Sequence, residues 1–160
     1  MIRVYQQETL NLFSLAQDVI KDTFSLVAQD QGHITLPKSS YNPLRQQYNA
    51  AVILDDVASK KDKDIEHKLC LVNVDIYVQN MNFIFGLANP IRRTAIVSTY
   101  RLNGDNTIER ISKEIVHEIG HLFGLVHCTN NKCIMHFSNT VRDTDEKEQI
   151  FCQNCRSKIE

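Results

Sequence analysis

The chain has 160 residues and a formal net charge of −1 at pH 7. Its length suits one domain with its own hydrophobic core, and 42% hydrophobic with 23% charged residues are ordinary values for a globular protein. The balanced charge gives no electrostatic attraction to nucleic acid or to an anionic membrane, so we expect neither as a partner. The first residues lack the apolar run of a signal peptide, and no stretch approaches the roughly 18 apolar residues of a membrane span. We therefore expect a cytoplasmic protein.

Hydrophobic periodicity predicts both strands and helices in the first hundred residues. A mixed-sign run over 59–64 is typical of a solvated loop. The elements expected up to residue 100 are, in order, a strand beginning at Ile2, a helix near residues 8–27, a helix from Asn42-Pro43 to about Val57, and strands over 71–78, 83–88 and 95–100.

Two helices are predicted in the remaining third of the chain. Asn106 is suited to cap a helix, with Glu109 three residues later, and this helix should run to Gly124. Asp143 and Glu146 repeat the same spacing before a final helix that carries the last two cysteines. Without repeats or linkers the sequence predicts a single α+β domain.

The segment HEIGHLFGLVH over residues 117–127 has residue types and spacings that suit a metal site. His117 and His121 are four residues apart, so both imidazoles lie on one helix face and can reach one cation. Glu118 lies beside them without being a ligand, and Gly124 allows the turn that brings His127 to the metal. Three nitrogen ligands leave a fourth position for water, as in a catalytic zinc site, where a nearby carboxylate can act as general base.

The opposite face of this helix should pack against the core, which leaves the histidine face for a cleft. An amphipathic helix with unrelated surface histidines is the alternative interpretation. The apolar residues expected on the core face are Ile108, Ile111, Ile115, Ile119 and Leu122.

Four of the five cysteines lie in the last third of the chain. Cys152 and Cys155 are three residues apart on the predicted last helix, while Cys128 and Cys133 follow the third histidine of the motif. Four thiolates would form a closed, structural zinc site; two disulfides or reduced core thiols remain the alternatives. Cys70, beside a predicted strand, is interpreted as a small buried apolar residue.

The motif and its surroundings resemble a known family. HExxHxxGxxH followed by a methionine, here Met135, is the metzincin signature. The string HEIGHLFGLVHC, then CIM and CQNC, is similar to the archaemetzincins, and the resemblance extends over roughly residues 70–155. It implies a zinc metallopeptidase with one catalytic and one structural zinc. The implied fold is metzincin-like, with a twisted mixed sheet flanked by helices, an active-site helix and a small C-terminal subdomain.

The resemblance also implies a role for each motif residue. Glu118 would be the general base, and Met135 the apolar floor beneath the catalytic zinc. The ligands would be His117, His121 and His127 for the catalytic zinc, and Cys128, Cys133, Cys152 and Cys155 for the structural zinc.

The family fold implies one catalytic domain over residues 1–160. Residues 1–124 would carry the sheet and the active-site helix, and 125–160 the third histidine, the methionine turn and the four-cysteine site. A peptide or protein substrate would pair its backbone with an edge strand, expected at 83–88.

Two departures from the family pattern affect the site. Sixteen residues separate Met135 from Cys152, one fewer than the family spacing. Phe137 stands where some metzincins have a tyrosine whose hydroxyl helps to stabilise the oxyanion. The source of oxyanion stabilisation besides zinc is therefore open: His136 and Tyr100 are candidates, and an ordinary exposed or core position is the alternative interpretation of each.

Three other functions compete with the peptidase interpretation. A catalytically silent, zinc-stabilised module could bind peptides or a partner protein without cleaving them. A zinc hydrolase could act on other amides, since the chemistry is the same. A zinc module that binds nucleic acid is disfavoured, because the chain lacks a basic and aromatic surface.

Overall fold

The computed structural model describes residues 1–61 and 66–160, so the run predicted as a solvated loop lies partly outside the described residues. No helix in these two ranges is long and apolar enough to span a membrane. In chain order the elements are β1 (Ile2–Gln7), α1 (Phe13–Phe24), β2 (Ala28–Ile34), a 3₁₀ turn (Lys38–Ser40), β3 (Tyr41–Asn42), β4 (Gln47–Asn49), α2 (Ala50–Ala58), β5 (His67–Val72), β6 (Ile76–Tyr77), β7 (Gly86–Asn89), β8 (Thr94–Ser98), α3 (Thr107–Leu122), α4 (Val141–Glu146) and α5 (Gln153–Arg156).

A five-stranded mixed sheet in the order β2-β1-β5-β8-β7 forms the centre of the fold. Neighbouring strands are parallel except for β7, which runs antiparallel to β8 at one edge. A smaller sheet, β3-β4-β6, lies beside it. The predicted α+β class with a mixed sheet is confirmed.

Helices cover both faces of the main sheet. Helices α1 and α3 pack on one face of the sheet and share one apolar cluster, which is the larger core. Helix α2 packs on the other face over a second apolar cluster. The central strands β5 and β8 are buried almost throughout, as parallel strands between two helical layers must be. The segment after α3 contributes Ile134 and Phe151, among others, to the cluster shared by α1 and α3. A boundary near residue 124 remains a prediction.

Helix α3 positions the site because one of its faces is fixed against the core. Ile111, Ile115 and Ile119 are buried as predicted, but Ile108 is 59% exposed and does not belong to the core face. The helix ends at Leu122, two residues before the predicted end. Gly124 then has φ +89°, the left-handed conformation that the motif requires there.

The helix predicted from Asn42-Pro43 is wrong. Asn42 ends strand β3, and its side-chain oxygen accepts from the backbone N–H groups of Leu44 and Arg45. This closes a turn between β3 and β4 instead of capping a helix. The helix begins at Ala50, with Asn49 as its cap.

Two further predictions need correction. The alternating segment 71–78 is not one strand, because β5 ends at Val72 and β6 covers only Ile76 and Tyr77. The expected final helix consists of two short ones. The side chain of Thr140 caps α4, while Cys152 only precedes the separate α5, at its N-cap position and without a capping hydrogen bond.

Candidate metal centre and cleft

The three histidines of the motif converge on one point. His117 and His121 extend from consecutive turns of α3, and their Nε2 atoms are 3.1 Å apart. His127 joins them after the turn at Gly124, and one nitrogen of each ring lies within 4.8 Å of the others. Tetrahedral zinc–nitrogen bonds place neighbouring nitrogens about 3.3 Å apart, so the arrangement fits a metal ion of that size.

Backbone carbonyls hold two of the rings in the tautomer that a metal needs. His117 Nδ1 lies 2.8 Å from the carbonyl oxygen of Ile134, and His121 Nδ1 lies 2.7 Å from that of Leu125. A carbonyl only accepts, so each Nδ1 carries the proton and each Nε2 presents its lone pair to the shared point.

Burial keeps these imidazoles neutral. It lowers the pKa of His117 well below its ordinary value, with the positive charge of Lys147 adding to the effect. Burial likewise lowers the pKa of His121 and of His127. Neutral imidazole is the form that binds a metal, so the donors are ready at neutral pH.

The carboxylate of Glu118 lies beside the histidines at the wall of the cleft, packed against strand β7. A methyl group at Gly86 would approach Glu118 Oε1 to 2.6 Å, so only glycine leaves room for this side chain. Burial and the negative charge of Glu114 raise the pKa of Glu118 well above its ordinary value.

Met135 packs directly against α3, and its role as a floor beneath the zinc remains a prediction. It is fully buried, and a methyl group at Gly120 would come within 2.5 Å of its sulfur. Gly120 therefore allows the turn at Met135 to approach the helix between the two histidines of the motif.

The four cysteines of the last third form a second cluster. Their sulfurs lie within 4.8 Å of one another, and Cys128 Sγ is 3.8 Å from Cys152 Sγ. Tetrahedral zinc–sulfur bonds give about the same separation, so the set fits one metal ion. The backbone N–H of Cys155 lowers the pKa of Cys152 to about 7, which favours the thiolate. All four are free thiols, so the two-disulfide alternative is not observed.

A short segment connects the two clusters. The N–H of Cys128 donates to the carbonyl of Met135, and the Nδ1 atom of His136 lies 2.8 Å from the carbonyl of Cys128. The four-cysteine cluster thereby fixes the chain that carries His127 on one side and Met135 on the other.

A cleft of about 430 Å³ opens beside the histidines. Its lining includes Gly86, Leu87 and Ala88 of the edge strand β7, together with Phe137. The predicted edge strand begins at Gly86, three residues later than expected, because Phe83 to Phe85 precede the regular pairing.

Neither residue considered as a substitute for a tyrosine hydroxyl is among those lining the cleft. His136 turns to the carbonyl of Cys128, and Tyr100 is half exposed elsewhere. Cys70 is fully buried, and burial raises its pKa to about 12, which agrees with an apolar role.

Sequence reasoning missed a buried ion pair next to the cleft. Lys147 Nζ lies 3.3 Å from Glu114 Oε1, with both side chains almost completely buried. Glu114 could have been found, because residues 114, 117, 118 and 121 share one helix face. Lys147, on a distant segment, gives no such signal.

Comparisons with known proteins agree with this geometry. The sequence profile described as Peptidase family M54 matches residues 13–160. An archaemetzincin of Nanoarchaeum equitans is 44% identical over 142 residues, which cover 89% of this chain and 79% of that protein.

Two solved structures share the fold over essentially the whole chain. A zinc-dependent peptidase from Methanocorpusculum labreanum superposes with a TM-score of 0.88 at 27% identity, covering 100% of both chains. Archaemetzincin from Methanopyrus kandleri gives a TM-score of 0.89 at 29% identity, covering 99% of this chain and 92% of the other. The chain belongs to peptidase family M54, the archaemetzincins.

Proposed function

We propose that this zinc metallopeptidase hydrolyses peptide bonds with Glu118 as its general base. The ligands of the catalytic zinc are His117, His121 and His127. The observation that carries the proposal is the convergence of three neutral imidazoles beside one carboxylate in an open cleft. A zinc ion bound there would polarise the scissile carbonyl and acidify a water molecule.

Glu118 is placed for proton transfer because its side chain lines the cleft. Neither carboxylate oxygen makes a hydrogen bond to the described residues, so both can contact a water molecule. Its carboxylate takes the proton of the attacking water and then delivers it to the leaving amine. The contact with Gly86 keeps the carboxylate from turning toward the sheet.

The edge strand β7 orients the substrate backbone. It pairs with β8 on one side only, while its residues Gly86, Leu87 and Ala88 line the cleft. An extended peptide adds to such an edge through main-chain hydrogen bonds, which align its carbonyls past the histidines. The N–H of Ser98 donates to the carbonyl of Phe85, so in this register the N–H of Leu87 faces β8 and that of Ala88 faces the open edge. Proline at Ala88 would remove one donor from that edge and should weaken peptide binding without changing the metal content.

The four cysteines hold a second, structural zinc. Four thiolates leave no position for water, and the cluster is joined to the catalytic segment through Cys128. Its contribution is to fix that segment. The protein should therefore contain two zinc ions per chain, measurable by mass spectrometry of the metal.

The test compares Glu118→Gln with Glu148→Gln, a matched change at an exposed glutamate outside the lining of the cleft. Glu118→Gln should lose at least about 10³-fold in kcat on a quenched fluorescent peptide and keep its zinc. Glu148→Gln should behave as wild type. Substantial turnover by zinc-loaded Glu118→Gln would remove Glu118 from this role, and zinc-loaded wild type that binds peptides but cleaves none would favour the silent binding module.

A further inference from the structure

The lining of the cleft includes two polar groups that the proposed chemistry does not use. Glu114 lies on α3 and Ser138 follows Met135, and both line the cleft. The hydroxyl oxygen of Ser138 is buried and has no hydrogen-bond partner in residues 1–61 and 66–160. Because an unpaired buried hydroxyl costs free energy, a bound molecule gains from pairing with it.

The contacts of Glu114 leave one of its oxygens available. Thr144 Oγ1 donates to Glu114 Oε1 at 3.1 Å, and Lys147 Nζ lies 3.3 Å from the same oxygen. Oε2 makes no contact of this kind with the described residues and can accept a hydrogen bond from the cleft. The buried ammonium of Lys147 offsets the carboxylate, so the pair is close to neutral as a unit.

The same lysine connects the two polar groups. Lys147 Nζ also donates to the carbonyl of His136 at 3.4 Å, two residues before Ser138. Glu114 is thereby tied to the segment that carries Ser138. The remaining lining is largely apolar and includes Phe83, Leu87 and Val126.

We propose that Glu114 and Ser138 together form a subsite of the cleft for a substrate side chain with an apolar stem and an uncharged head that both donates and accepts hydrogen bonds. Glutamine is the best natural match: its amide N–H donates to Glu114, and its carbonyl accepts from Ser138. This inference rests on the proposed peptidase function.

Other side chains fit this subsite less well. A hydrocarbon side chain leaves both polar groups unpaired, and the free-energy cost of those unpaired groups disfavours its binding. A charged head loses hydration without gaining an opposite charge, because the charge of Glu114 is already compensated by Lys147.

The test uses peptides that differ in one residue next to the cleaved bond, on either side, with glutamine, norleucine, lysine or glutamate there. Wild type should prefer glutamine to norleucine by about tenfold or more in kcat/KM. Ser138→Ala should reduce that ratio severalfold. The double variant Glu114→Leu with Lys147→Met leaves no unpaired buried charge. It should lower the ratio of kcat/KM for glutamine to that for norleucine to about one or below. Glu148→Gln, at an exposed residue outside the lining of the cleft, is the control that keeps the ratio.

A binding measurement separates this inference from the peptidase proposal. Calorimetry with zinc-loaded Glu118→Gln should show the same order of peptides without turnover. A wild-type preference for norleucine or for a charged residue, or a glutamine preference that both variants retain, would overturn the subsite. If the peptides with glutamine bind best but zinc-loaded wild type cleaves none of them, the subsite would be supported and the peptidase proposal contradicted.

Discussion

Gly86→Ala should impair catalysis by displacing Glu118 without disturbing the fold. The added methyl carbon would lie 2.6 Å from Oε1, 2.7 Å from Cγ and 2.8 Å from Cδ of Glu118. Restoring an ordinary contact of 3.4 Å requires the carboxylate to withdraw by about 0.8 Å. The side chain is flexible, so the protein yields by moving the carboxylate rather than the strand.

The expected loss follows from that displacement. A misplacement of about 1 Å at a reacting group costs about 10²-fold, so kcat/KM should fall by roughly this factor. Gly86 has no positive φ, and alanine is acceptable in a strand, so the free energy of unfolding should change by less than about 1 kcal/mol. The assay is cleavage of a quenched fluorescent peptide by zinc-loaded protein, with metal content and thermal unfolding measured in parallel.

A double-mutant cycle isolates the cause. Adding Gly86→Ala to Glu118→Gln should produce no further loss of the residual rate, because the displaced group no longer transfers protons. Wild-type kcat/KM in Gly86→Ala would refute the reasoning. So would a loss explained entirely by missing zinc.

Three further predictions concern the support of the site. Gly120→Ala forces Met135 to shift and should destabilise the protein by about 1–3 kcal/mol, measured by denaturant unfolding; unchanged stability would contradict the close packing. Cys152→Ser should lose about one zinc per chain and unfold at a lower temperature, whereas full metal content would argue against a four-thiolate site. The N–H of Thr140 lowers the pKa of Asp143, so its stabilising effect is present above the unfolded pKa of about 3.9 and is lost as the pH falls through the lower folded value. Asp143→Asn should remove that part of the acid dependence of unfolding, and a slope identical to wild type would contradict the assignment.

The histidine and cysteine clusters could be predicted from sequence because their spacing is mostly local. His117 and His121 lie on one helix turn, and Gly124 has the conformation that its place in the motif requires. The helix itself was predicted within two residues at its end. What the spacing could not give was the second layer of contacts, such as Gly86 against Glu118, which joins segments 32 residues apart in sequence.

The predicted elements were wrong where polar residues form a strand or a turn. Strand β2 was missed because its sequence AQDQGHI has no apolar alternation, and it is an edge strand buried only at its two ends. Asn42-Pro43 has the residues of a helix start, but the side chain of Asn42 closes a turn instead. In both places tertiary pairing outweighs the local pattern.

The buried pair of Lys147 and Glu114 shows the same limit. A lysine in a short polar segment predicts a solvated side chain, yet Lys147 is fully buried because Glu114 and a backbone carbonyl receive its ammonium group. Only the folded chain reveals that this charge lies beside the cleft.

The most direct test of the account is digestion of a diverse peptide mixture by zinc-loaded wild type beside zinc-loaded Glu118→Ala, with products identified by mass spectrometry. With Glu118 as the general base, we expect new peptide termini with wild type and none with the variant. Equal cleavage by both proteins, or no cleavage by wild type with its zinc confirmed, would contradict it.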